Sequence, residues 1–225
     1  MKQTIATITE ILDESTDIKR FILELDQGIN PKAGQYVMIA TSENPQEKHA
    51  FSIVSYDPLT RTLDLCIKKE GRFTSLMFDL SSGKRLLVFG PYGTFTIMPA
   101  AKTMVMIAGG IGITPLYNMA KSVDTTQVNV HLLYSARTKE AMALLKEVST
   151  LDPAIDVRLF FSDEACDLGE HRRISIKDIT SSSQDLETTY YYFCGPPRMI
   201  DYFCETLAAS GIREEHLRRE DFKNP

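Results

Sequence analysis

Up to about residue 98 the chain alternates short apolar runs with polar breaks. The runs are TIATITEI, FILEL, GQYVMIA, AFSIVS, TLDLCIK and RLLVFG, separated by Gly, Pro, Asn, Asp and Lys. A period of two between turn residues is the pattern of a strand with one buried face, and such runs in succession predict an antiparallel sandwich or small barrel. One stretch departs from it. In FTSLMFDL, Phe73, Leu76, Met77 and Leu80 recur at helical spacing and predict a helix with those four on one face.

After MPAAK the rhythm changes to continuous apolar runs alternating with helical segments: TMVMIAGG, a helix from Pro115, VNVHLLYS, a helix through EAMALLKEV, IDVRLFFS, a short helix near RRISIKDI, TTYYYFCG, and a helix from Pro197 to about Ala209. Apolar strands separated by helices predict a parallel sheet covered on both faces, a Rossmann-like α/β arrangement. The change of rhythm divides the chain into a β-barrel domain over 1–99 and an α/β domain over 100–225. A length of 225 residues suits two cores better than one.

Charge and cysteine usage narrow the function classes. With 25 Lys plus Arg, 30 Asp plus Glu and a net charge of -5, the chain has no basic footprint for nucleic acid. The opening MKQTIATITE has no signal-like apolar run and no segment approaches the roughly 20 apolar residues of a membrane span, so a cytoplasmic protein without an integral membrane segment is expected. Cys66, Cys166, Cys194 and Cys204 lack any close ligand spacing, which points away from zinc and iron–sulfur sites.

Two glycine turns carry the first candidate chemistry. MVMIAGGIGITPL puts Gly109, Gly110 and Gly112 where a buried strand stops and a helix starts. Glycines there admit close backbone approach, and the free N–H groups of a helix N-terminus attract phosphate. Pro115 suits the first helical turn, which does not need its missing N–H. A second turn, YYYFCGPPRM, ends a later strand and brings Cys194 towards the same crevice, because ligands of open parallel sheets bind beyond the carboxyl ends of the strands.

A strand barrel, AGGIGITPL, YSAR, CGPPRM and the acidic-x-Phe of Glu220-Asp221-Phe222, in that order, resemble the ferredoxin–NADP⁺ reductase family across nearly the whole chain. The resemblance implies an NAD(P)H-dependent flavoprotein reductase that passes hydride to FAD and then electrons to a separate acceptor: a ferredoxin, a haem protein or a small molecule. A free-flavin reductase and a low-activity electron-transfer subunit are the alternatives. It leaves the oligomeric state open.

The same resemblance assigns site residues. HAFS, at 49–52, stands where the family carries Arg-x-Tyr-Ser, so Phe51 covers the flavin, Ser52 bonds near its N5, and His49 and Ala50 adjoin it. His49 departs from the family's arginine and offers one donor and little charge where a guanidinium offers a charged fork. Lys48, Lys68 and Arg72 are candidates to restore that charge. Ile67 and Lys68 continue the flavin site, and EGRFTS supplies Gly71, Arg72, Phe73 and Thr74 to the flavin phosphates. For the nucleotide the family likeness adds Thr114, Pro115 and Arg137, then Gly195, Pro196 and Met199 around Cys194, with Glu220 and Phe222 near the transfer point. Ser52, Cys194 and Glu220 are the catalytic candidates, with Cys194 a shaping residue and not a nucleophile. NADH is favoured over NADPH because Ser162 is followed by Asp163 and Glu164, which would repel a 2′-phosphate.

Overall fold

The structure is a computed structural model and describes residues 3–183 and 185–220. It divides into two compact units, residues 1–96 and 97–225. The first unit holds β1 (Gln3–Asp13), β2 (Ile18–Leu25), β3 (Tyr36–Thr41), β4 (His49–Asp57), β5 (Thr62–Lys68) and β6 (Arg85–Tyr92), closed into a barrel in the order β1-β2-β5-β4-β3-β6 with antiparallel neighbours. Alternation along β2 sends Phe21, Leu23 and Leu25 inward, where they meet Leu63, Leu65 and Ile67 of β5. Register shifts in β1, β3 and β4 bend the strands, as a small closed barrel requires.

Helix α1 (Arg72–Phe78) contributes Phe73 and Met77 to this core. Leu80 packs against the same cluster from beyond the helix end, but Leu76 is exposed and does not share the expected face. Positions 73 and 77 are one helical turn apart, and in so short a helix they fix the buried side alone.

The second unit is a parallel sheet of β7 (Thr103–Gly109), β8 (Asn129–Ala136), β9 (Asp156–Phe161), β10 (Thr189–Cys194) and β11 (Leu217–Glu220), ordered β11-β10-β7-β8-β9. Every residue of β7 and β10 is buried, hence their unbroken apolar sequences. Helix α2 (Ile113–Ser122) begins two residues before Pro115, after a 3₁₀ turn at Gly110–Gly112. The helix expected through EAMALLKEV is interrupted: a 3₁₀ turn at Lys139–Ala141 is followed by extended Met142 and left-handed Leu144 (φ 55°), and only Leu145–Val148 form α3. Burial of Met142, Ala143 and Leu144 in succession, with Tyr134 Oη donating to the Ala143 carbonyl at 3.1 Å, overrides good helix propensity there. Helices α4 (Ile176–Thr180) and α5 (Pro197–Ala209) complete the unit. Among the described residues no helix is long and apolar enough to cross a membrane.

Candidate functional site

In the first unit β4 changes partners along its length. Ile53–Asp57 run beside β5, whereas His49–Ser52 run beside β3, with a bulge at Ile53/Ser55. Because β5 continues to Lys68 along β2 while β4 continues back to His49 along β3, the two strands part beyond Ile53/Leu65. Period-two alternation turns His49 and Phe51 towards α1, with Ala50 and Ser52 on the opposite face. Accordingly the imidazole of His49 stacks on Phe73 (centroids 4.1 Å apart, 18° between planes), and Phe51 lies 6.2 Å from the same ring. Ala50 is exposed, Phe51 half-buried and Ser52 buried. A planar ligand meets both Phe51 and Ser52 only along the strand edge where the ladder to β5 has ended. The aromatic residue beside that edge fits the isoalloxazine half of a flavin.

The charges around this edge are less available than their sequence positions suggest. Lys48 Nζ lies 4.2 Å above the Phe89 ring, and Lys68 Nζ is 2.7 Å from Glu70. His49 Nε2 is 3.5 Å from Glu47 Oε1, and Arg72, whose side chain is 88 % exposed, is 3.9 Å from Glu47 Oε2. The Thr74 hydroxyl accepts from the amides of Glu70 and Gly71, both at 2.9 Å, and donates to the Gly71 carbonyl. Ile67 is fully buried in the barrel core. Glu47 has no counterpart in the motif reading. Its signal was its position two residues before His49.

In the second unit the two glycine turns meet. Ala108 of β7 and Cys194 of β10 are in register, so the turns that follow them lie side by side where the strand order reverses. A Cβ on Gly112 would stand 2.1 Å from the Cys194 carbonyl oxygen, and one on Gly195 (φ 152°) 2.9 Å from Gly109 backbone atoms. Gly109 itself has room for no side chain, with Pro196 Cδ and Met199 Cε at 2.7 and 2.9 Å from its Cβ position. Gly110 differs: it has φ 54° and nothing within 4 Å of its Cβ position, an open cradle at the entrance to α2. That cradle and the helix end fit a nucleotide phosphate.

Thr114 is buried and its hydroxyl donates to the Ile111 carbonyl at 3.0 Å, closing the turn before Pro115. The Cys194 side chain is fully buried at the end of β10, beside the glycine turn that follows β7. Glu220 of β11 is its register partner. The start of β11 is pinned by buried His216, whose Nδ1 donates to the Thr189 carbonyl at 2.9 Å while its ring stacks on Tyr190. Phe222 lies outside the described residues.

The loops after β8 and β9 are clasped together. Arg137 Nε donates to Asp163 Oδ2 at 2.7 Å, Ser162 Oγ donates to Asp163 Oδ1 at 2.7 Å, and the Lys139 amide donates to Glu164 at 2.8 Å. The Ser162 hydroxyl, then Arg137, hold the Asp163 carboxyl below its ordinary range, and the Asp163 hydrogen bond raises Arg137. The pair therefore stays ionised and mutually neutralised.

The comparisons with known proteins follow this layout. The oxidoreductase FAD-binding domain matches residues 5–97 and the oxidoreductase NAD-binding domain residues 106–205. The chain is 30% identical to the reductase component of propane 2-monooxygenase of Gordonia sp. (strain TY-5), over 94% of this chain and 63% of that protein. It is also 30% identical to the probable dihydroorotate dehydrogenase B (NAD(+)) electron transfer subunit of Thermococcus kodakarensis, over 87% of this chain and 76% of that one. A solved ferredoxin NADP⁺ reductase from Neisseria gonorrhoeae with bound FAD and NADP shares the fold at TM-score 0.86 and 20% identity, covering 99% of this chain and 100% of that one. The chain spans 63% and 57% of the two propane 2-monooxygenase reductase components it matches. It belongs to the ferredoxin–NADP⁺ reductase-like family of flavoprotein oxidoreductases, with an FAD-binding domain followed by an NAD-binding domain.

Proposed function

We propose that the chain is an NADH-dependent flavoprotein reductase, using NADPH less well, that delivers electrons to a separate acceptor. Residues 1–99 hold FAD and residues 100–225 hold the nicotinamide nucleotide. A bound flavin supplies the chemistry, accepting hydride and releasing electrons one or two at a time. The observation that carries the reading is the pair of glycine turns at the switch point, backbone against backbone, with Gly110 left open before the N-terminus of α2.

The residues divide the work. Phe51 supplies an aromatic face to the flavin ring and Ser52 a small hydroxyl at its N5 edge. The amides entering α2 receive the nucleotide pyrophosphate, while Cys194 and Glu220, neighbours across β10 and β11, shape the nicotinamide end. Arg137 belongs to the adenosine end, where its charge is already matched by Asp163, so a 2′-phosphate meets a carboxylate and NADH is preferred. The acceptor is a separate ferredoxin, haem protein or small molecule, consistent with relatives that are reductase components or electron transfer subunits. The setting is the cytoplasm.

An anaerobic visible spectrum of the full chain with added FAD, before and after NADH, tests this. Bleaching of the flavin band by NADH, with a higher kcat/KM than for NADPH, is the expected result. An unchanged band on NADH addition removes the reductase reading, and a higher kcat/KM for NADPH reverses the nucleotide preference.

A further inference from the structure

The basic residues beside HAFS are already engaged by the chain itself. Glu47 contacts both His49 and Arg72, Glu70 holds Lys68, and Phe89 takes Lys48. Glu47 is two-thirds covered, which keeps its carboxylate close to the start of β4. The amides of Glu70 and Gly71, just before α1, already donate to the Thr74 hydroxyl. A phosphate tail brought here meets the carboxylates of Glu47 and Glu70 and must draw Arg72 and Lys68 away from them. The ring half of a flavin meets the opposite situation: an aromatic residue at Phe51 and a strand edge where the ladder to β5 has ended.

We propose that this barrel holds flavin through its isoalloxazine ring and gives the phosphate tail little grip, so that riboflavin, FMN and FAD bind with similar affinity and exchange freely, with Glu47 the residue that sets this selectivity. The inference rests on the flavin reading of the first unit and adds which part of the flavin is recognised. It follows from Coulomb's law that an anion gains little from Lys68 and Arg72 while carboxylates stand 2.7 and 3.9 Å from them.

Titration of the flavin-free full chain with riboflavin, FMN and FAD, followed by quenching of flavin fluorescence, gives the test. The three Kd values are expected to lie within about tenfold of one another. Glu47→Gln frees His49 and Arg72 and should tighten FMN and FAD by roughly three- to tenfold at low salt while leaving riboflavin unchanged. Riboflavin affinity thereby also reports that the variant folds. FAD bound more than tenfold tighter than riboflavin by the native chain overturns the proposal, as does an equal shift of all three ligands by Glu47→Gln. Absence of binding by every flavin is a different result: it removes the flavin reading itself, and the proposal with it.

Discussion

The strip His49–Ser52 and the turn Gly109–Gly112 are the two cofactor-binding segments we propose, and they are built from different material. The turn is a matter of backbone: a Cβ on Gly112 would collide with the Cys194 carbonyl and one on Gly109 with Pro196 and Met199, so glycine alone lets the two turns approach this closely. The strip is a matter of side chains, and its properties depend on Glu47, Phe73 and Glu70, none of which lies within the motif. A motif written in glycine describes its own geometry. One written in side chains describes only half of an interaction.

The sharpest test of this contrast separates the glycines of one turn. Gly112 has an ordinary φ of -61°, so an added methyl group suffers from contact alone, 2.1 Å from an immovable carbonyl oxygen. Gly112→Ala is expected to destabilise the second unit by about 3 kcal/mol or more, since the backbone of β10 must shift. Gly110→Ala meets no atom and carries only the cost of a left-handed residue, about 1 kcal/mol. Urea unfolding of both variants checks the order. Equal losses would show that the turn is governed by conformation and not by contact between strands.

A smaller effect belongs to Phe51. Half-buried against the barrel core, it should lower stability by about 2 kcal/mol when truncated to Ala, below the cost of a fully buried Phe. The same variant should weaken riboflavin, FMN and FAD alike by about two- to tenfold in the fluorescence titration, because stacking contributes about 0.5–1.5 kcal/mol beyond area burial. Unchanged flavin affinity with lowered stability would make Phe51 a core residue alone.

These two regions also show what could be read in the sequence. The period-two runs and the apolar strands were legible because burial of one or both strand faces dictates them directly. Gly109, Gly110 and Gly112 were legible as a turn, but the division of labour among them was not, since it depends on Cys194 and Met199 some 80 residues away. The charges at Lys68 and Arg72 were visible, and their partners Glu70 and Glu47 were visible too. Only their pairing required the strand and helix to be placed in space. Leu144 shows the converse: a run of good helix formers is broken because its middle is buried, which propensity does not register.

Asp163 tests whether side-chain pairing governs the second unit as well. Asp163→Ser removes the carboxylate and releases Arg137. The ratio of kcat/KM for NADPH over NADH should rise about tenfold, equivalent to ~1.4 kcal/mol. Because Asp163 titrates below the ordinary carboxylate range, its charge persists as pH falls from 7 to 5 and is lost only below that range. The native NADH preference should therefore be flat over that interval. A preference that relaxes between pH 7 and 5 would assign it to another group.

The smallest expected effect concerns Thr74, near the start of α1. If its oxygen serves the amides of Glu70 and Gly71, as the 2.9 Å distances indicate, it acts as a local brace for the start of α1. Thr74→Val keeps the shape and removes the acceptor, leaving two exposed amides to water, and should cost about 1 kcal/mol of stability, as for a lost helix cap. Thr74→Ser restores the oxygen and should recover most of it. Flavin phosphates should be indifferent to both changes, so the ratio of FAD to riboflavin affinity stays constant across the series. A ratio that falls in Thr74→Val and returns in Thr74→Ser would place the hydroxyl on the phosphate tail, and the barrel would then grip that tail after all.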